Sequence, residues 1–199
     1  MKACKAEGEN PYWIPSGAST HPLGGCGYAR FAFEIAEQER EMGVHFDYII
    51  TPCASGSTLG GMIAGFKPLS KTSSSAKHHI LIGIDAFADA PGKATALVLQ
   101  IAKTTATQIG LEESDISEAD IIIDEKWNAG RYGFVDKTTQ DAMKLLASHE
   151  GILTDPVYTG KAMAAFIDYA RSGMFVVAPN VLFVHTGGVV SLSAYPNVR

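Results

Sequence analysis

Three glycine- or hydroxyl-rich turns hold the residues of this sequence with the most chemical reach. The first, Ser55-Gly56-Ser57-Thr58-Leu59-Gly60-Gly61, follows the apolar run Phe46–Ile50 and precedes a helical pattern. Unpaired N–H groups at a helix start, flanked by serine and threonine hydroxyls, make a cradle for a phosphate. The spacing is neither GxxxxGK[ST] nor a full GxGxxG, which argues against a nucleoside triphosphate and against a dinucleotide. The same residues also read as a tight strand-to-helix turn with a serine cap, and the motif alone does not separate the two. The second turn, Thr154-Asp155-Pro156-Val157-Tyr158, sets Tyr158 and Thr159 beside a helix start, with Lys161 close behind. The third is His185-Thr186-Gly187-Gly188. Taken singly, Tyr158 reads as a half-buried packing residue and His185 as a satisfied core histidine rather than a base.

The composition bounds what such turns can belong to. The chain has 199 residues, 46% hydrophobic and 19% charged, enough for the core of one domain and too apolar for disorder. Its net charge is −5 and no basic stretch tracks a phosphate backbone, so nucleic acid is not an expected partner. No apolar run approaches the roughly 18 residues needed to cross a bilayer, and no membrane partner is expected. The first eight residues lack the apolar core of a secretory signal. Cys4, Cys26 and Cys53 are sparse and without CxxC spacing, which excludes a disulfide framework or cysteine-rich zinc module. No metal site is expected, and the compartment is expected to be the cytoplasm.

Strand-length apolar runs alternate with helical patterns, and these elements must position the turns. Tyr12-Trp13-Ile14 reads as a short extended segment. A helix is expected over 27–43, with Tyr28, Phe31, Ala32, Ile35 and Met42 on one face and Gly43 closing it. Strands follow at 46–50, 80–84, 121–123 and 181–184. Helices lie between them, through Met62 to Phe66, from about Gly92 to Ile109, from Thr138 to His149, and from the turn at Tyr158 to Gly173. The segment 71–77 is expected to be a flexible surface loop. Alternation of this kind predicts an α/β fold, a mostly parallel sheet with helices on both faces. In such sheets ligands bind beyond the carboxyl ends of the strands, where all three turns fall.

Read in order, these segments resemble one family. Asn10-Pro11-Tyr12, Ile14-Pro15, Gly17, His21-Pro22-Leu23-Gly24-Gly25, the Ser55–Thr58 turn, Tyr132-Gly133, the run Glu150–Met163 and His185–Gly188 stand in register with it. It comprises the pyridoxal-phosphate (PLP) enzymes aminocyclopropane-carboxylate deaminase and D-cysteine desulfhydrase, and Leu153-Thr154-Asp155-Pro156-Val157-Tyr158-Thr159-Gly160-Lys161 is its most specific part here. The resemblance implies the tryptophan synthase β-like fold, with PLP between two open α/β domains. It implies that Ser55, Gly56, Ser57 and Thr58 cup the PLP phosphate, that Tyr132 and Tyr158 face a small amino-acid substrate as catalytic residues, and that Thr159 stands beside the pyridine nitrogen. A homodimer is expected of the intact enzyme.

One departure dominates. The family's Schiff-base lysine belongs to an N-terminal portion that matches nothing in these residues, and Lys161 falls at a different position, expected to be a surface or capping lysine. The resemblance therefore covers the C-terminal portion, residues 1–199 being mostly the larger, cofactor-binding domain in incomplete form. Two positions bear on substrate. Deaminases of the family tend to carry glutamate where this chain has Thr159 and leucine where it has Thr186. A threonine hydroxyl leaves the pyridine nitrogen largely neutral, a weaker electron sink that suffices for expelling a thiolate. The pair implies a D-cysteine desulfhydrase, probed by Thr159 and Thr186 as selectivity residues, whereas His21–Gly25 is closer to the deaminase branch. A non-catalytic PLP- or phosphate-binding relic is the remaining alternative; a dinucleotide site is disfavoured, Asp85 being the one acid placed to meet a ribose.

Overall fold

In the computed structural model of the protein, which describes residues 1–13, 16–71, 78–177 and 180–198, the central strand begins inside the expected 46–50 and runs past it to Cys53, because Thr51, Pro52 and Cys53 are buried and continue the ladder. This strand, β1 (Tyr48–Cys53), pairs in parallel with β2 (Ile80–Asp85) on one side and with β4 (Val181–Phe183) on the other. β3 (Ile123–Asp124) adds to the far side of β2, also in parallel, giving the order β3-β2-β1-β4. Strand side chains alternate between faces, and here both faces are apolar. Ile49 and Leu81 pack into one helical layer, Ile50, Ile82 and Ile84 into the other.

The first layer is α2 (Cys26–Met42), α3 (Ser57–Lys71) and α4 (Lys93–Gln108), which contribute Ala32, Ile35, Met62, Ile63, Val98 and Ala102 to its core. The second is α5 (Lys137–Glu150) and α6 (Thr159–Arg171), contributing Ala142, Ala162 and Met163. A short helix, α1 (Lys2–Ala6), buries nothing. Continuous apolar strands are stable only when both faces are covered, and that requirement is met. The architecture is the expected α/β one.

Some boundaries differ from expectation. The third strand is Ile123–Asp124 rather than 121–123, because a capped turn occupies the preceding residues. Asp120 accepts the backbone N–H of Ser117 at 2.8 Å, holding Glu118–Asp120 as a 3-10 turn, so of the three isoleucines only Ile123 is a strand residue, with the Ile122 carbonyl accepting the Gly83 N–H at 2.9 Å. The helix expected through Phe66 runs to Lys71, past Pro68. Of the segment 71–77, residue 71 closes that helix and 72–77 lie outside the described residues, as does Ile14. Tyr12 and Trp13 are irregular and exposed. All three cysteines are free thiols. Among the described residues no helix is long and apolar enough to cross a membrane.

The strand order reverses at β1: the chain lays β2 and β3 to one side of it and returns with β4 on the other. The loops leaving β1 and β4 therefore diverge and open a crevice at the carboxyl edge.

Candidate functional site

A cleft of about 360 Å³ occupies that crevice, within the range of small-ligand sites. Ser55, Gly56 and Thr58 line it from the turn after β1, Phe87 from beyond β2, Thr186 from beyond β4, with Tyr132 and Tyr158 across from them. The three turns singled out in the sequence thus meet at one place. None of the side chains lining the cleft among the described residues is charged. Cys53 lies at the cleft too, but burial, aided by the Asp85 carboxylate, pushes its thiol up to about 12, so it is not a nucleophile.

The turn after β1 is built to present backbone donors. Gly56 takes φ +87°, a left-handed conformation that a side chain would resist. The first helical bond of α3 runs from the Gly60 N–H to the Gly56 carbonyl at 2.9 Å, so the N–H groups of Ser57, Thr58 and Leu59 precede the ladder. Ser57 differs from its neighbours: its hydroxyl does not line the cleft and instead receives the hydroxyl of buried Ser19 at 3.4 Å. Ser19 went unnoticed in the sequence, where nothing separates it from other loop serines.

Across the cleft, the hydroxyls of Tyr132 and Tyr158 are hydrogen-bonded to each other, and the Tyr132 ring packs on Phe87 with centroids 5.1 Å apart. Burial, then the Tyr132 hydroxyl, raises the Tyr158 phenol well above its ordinary value. It stays protonated at neutral pH and can donate a hydrogen bond. Tyr132 rides on a loop tied down by the Tyr195 hydroxyl, which donates to the Gly133 carbonyl at 2.8 Å.

The start of α6, which carries Tyr158, is held by Asp155. This buried carboxylate accepts the N–H groups of Val157, Tyr158 and Thr159 at 2.7–2.8 Å and the Thr159 hydroxyl at 2.6 Å. Thr159 is therefore fully buried, its hydroxyl engaged by Asp155, and it does not line the cleft; Thr186 does. Gly188 closes against the same carboxylate: a Cβ there would stand 2.8 Å from Asp155 Cγ, at φ +89°. The Asp-Pro pair ahead of a helical pattern was the available sign of this clasp.

Three sequence expectations need correction. Lys161 is no surface or capping residue but fully buried, its Nζ donating to the Asn128 carbonyl at 2.7 Å, because α6 lies against the sheet along the face that carries it. Asp85 is not available to a ribose: it accepts from Asn128 Nδ2 at 2.7 Å and from the N–H groups of Phe87 and Ala88. Together Lys161, Asn128 and Asp85 stitch α6 to the segment after β3 and to the end of β2. His185 is exposed rather than in the core, although satisfied as expected. It accepts the Gly187 N–H at Nδ1, so Nε2 carries the proton and donates to the Leu153 carbonyl at 2.8 Å.

The model of the family described as pyridoxal-phosphate dependent enzyme matches residues 1–187. The chain belongs to that PLP-dependent enzyme family. The 1-aminocyclopropane-1-carboxylate deaminase of Methylobacterium nodulans is 43% identical over 191 residues, covering 96% of this chain and 54% of that protein. A crystal structure of an ACC deaminase homologue superposes with a TM-score of 0.78 at 28% identity, over 100% of this chain and 57% of the other. The threonine deaminase of T.th., at 17% identity and TM-score 0.53, shares the fold, with 94% of this chain and 69% of that one covered. The chain thus spans about half the length of the proteins it matches.

Proposed function

We propose that these residues form most of the cofactor-holding domain of a PLP-dependent lyase acting on a small amino acid, and that the favoured substrate is D-cysteine, converted with water to pyruvate, hydrogen sulfide and ammonia. The observation that carries this reading is the uncharged cleft in which the helix-start amides of α3 face the Tyr132–Tyr158 pair. The residues fit the cofactor. The phosphate falls to the N–H groups at Gly56, Ser57 and Thr58 and the hydroxyls of Ser55 and Thr58, while Ser57 supports the turn through Ser19. When bound, the cofactor supplies an electron sink for the negative charge formed at the substrate Cα.

Tyr158, kept protonated, donates a hydrogen bond towards the substrate, and Tyr132 holds it in orientation. Thr186 lines the cleft beside them and sets its size at that wall. Thr159, committed to Asp155, fixes the helix start under Tyr158. With threonine rather than glutamate at this position, a substrate with a good leaving group, as a thiolate is, is favoured. No lysine lines the cleft among the described residues.

Opening of 1-aminocyclopropane-1-carboxylate to 2-oxobutanoate and ammonia is the second reading, favoured by the 43% identical relative. The two part in one experiment. The chain is joined to the N-terminal segment of a curated relative, which supplies the lysine, and sulfide and both oxo acids are assayed. Sulfide release from D-cysteine exceeding 2-oxobutanoate formation is expected. Preference for the cyclopropane substrate overturns the desulfhydrase reading, and a graft that binds PLP without turning over either compound marks a non-catalytic binding chain.

A further inference from the structure

At the opposite, amino edge of the sheet, three side chains from separate segments converge. Glu39 lies near the end of α2, His45 in the connection to β1 and His79 just ahead of β2, and each offers a ligand atom within 4.8 Å of the others. His79 Nε2 stands 3.0 Å from both Glu39 oxygens, and His45 Nδ1 3.3 Å from Oε1. The two imidazoles stand 4.6 Å apart between centroids, their planes tilted by 50°. Ligand atoms bound about 2.0–2.2 Å from a tetrahedral ion stand about 3.3 Å apart, close to these separations.

Hydrogen bonding alone accounts for the cluster incompletely. Glu39 Oε1 already accepts the Phe46 N–H at 2.6 Å, yet His79 Nε2 at 3.0 Å and His45 Nδ1 at 3.3 Å crowd the same oxygen. The cations lining the same cavity are engaged elsewhere, Lys67 Nζ pairing with Asp120 at 2.6 Å and Arg40 with Glu37 at 3.5 Å. A cavity of about 1020 Å³, lined by all three residues, opens onto the cluster and gives water access to a fourth coordination position.

We propose that Glu39, His45 and His79 bind a divalent late transition-metal ion of the zinc class, with water completing the shell. Two imidazoles and one carboxylate suit zinc or cobalt and fit poorly with magnesium or calcium, which take oxygen ligands. The ion ties the end of α2 to the starts of β1 and β2, a strand length of about 20 Å from the cleft. It is a structural clamp, independent of the chemistry proposed there.

The chain is stripped with a chelator and titrated with Co²⁺, then with Zn²⁺. One equivalent of Co²⁺ should give the intense visible bands of a four-coordinate ion, and Zn²⁺ should bleach them and raise the Tm. His45→Gln and His79→Gln should each weaken Co²⁺ binding by about 100-fold, at least the loss seen when groups behind a metal ligand are removed. Should these variants fail to fold, X-ray absorption on the wild-type zinc form decides, two imidazole nitrogens and one carboxylate oxygen being expected. A titration without a stoichiometric band would reduce the cluster to a hydrogen-bonded triad and overturn the proposal. So would variants that bind as tightly as wild type, or sulfur in the coordination set, since the ion would then sit at other residues.

Discussion

The ammonium group of Lys161 donates to the Asn128 carbonyl at 2.7 Å, with Asp85, Asp136 and Asp155 near enough to favour its charge. Burial outweighs them and holds this lysine below its ordinary pKa. The folded chain therefore releases the Lys161 proton at a lower pH than the unfolded chain does. Between the depressed value and the ordinary lysine range the unfolded state binds more protons, so stability from this group rises with pH across that window. Urea unfolding of wild type and Lys161→Met at several alkaline pH values should show the steeper rise in wild type; parallel lines would mean that the lysine titrates normally. The same burial keeps Lys161 from replacing the family's lysine. After incubation with PLP and borohydride reduction, peptide mass spectrometry should find no pyridoxyl group on it. Which residues were legible follows from what a sequence encodes. Ser55, Thr58 and Thr186 follow strands in turns rich in glycine or hydroxyls, and Tyr158 follows a helix in the turn that opens α6; turn chemistry is local. That Thr159 and Lys161 point inward depends on how α6 rolls against the sheet, which a helical pattern with Ala162, Met163, Ala164 and Ala165 all buried does not disclose.

At the scale of elements, the start of α6 depends on Asp155 more than on any capping residue of its own. Asp155→Ala would leave three N–H groups and the Thr159 hydroxyl without their acceptor. A cost of about 2–4 kcal/mol is expected, above that of an ordinary cap because several charge-assisted bonds go together. Denaturant unfolding reads it, and a loss under about 1 kcal/mol, on the order of a single peptide cap, would show that the clasp is redundant. For α3 the expected effect is on binding. Thr58→Val removes one hydroxyl from the phosphate cradle and should weaken PLP about tenfold in fluorescence titrations, the loss of one hydrogen bond to a charged group. β2 was legible because it is buried on both faces and reads as a near-continuous apolar run, whereas the end of β1 was missed because Thr51 and Pro52 interrupt its apolar pattern. β3 was misplaced because three isoleucines in a row carry no register, and the Ser117–Asp120 turn that sets it is a local polar signal outweighed by them.

For the whole molecule, alternation of strands and helices was enough to give a parallel sheet covered on both faces, and the order of the turns was enough to place them at one edge. What the pattern did not contain was the surface. Tyr12 is 88% exposed and Val190 90%, and Trp13, Phe87, Tyr132 and Phe134 are exposed as well. Phe87 and Tyr132 border the cleft, and the Tyr195 bond to Gly133 brings the C-terminal turns alongside the same loop. Exposed large apolar side chains at several places on the surface, two of them at the cleft, mark a surface that takes up a partner. The chain expressed by itself should therefore self-associate, with an average mass in analytical ultracentrifugation that climbs across the micromolar range. Replacing Tyr12 and Trp13 by serine removes apolar area from residues that bury nothing, so it should lower association without lowering the Tm. Val190→Asp acts at a different exposed position and separates the two regions: a shift only with Tyr12 and Trp13 assigns the contact to the N-terminal stretch, a shift only with Val190 to the C-terminal turns. A wild-type chain that stays monomeric throughout the range would show that these residues, although exposed, do not form an adhesive surface.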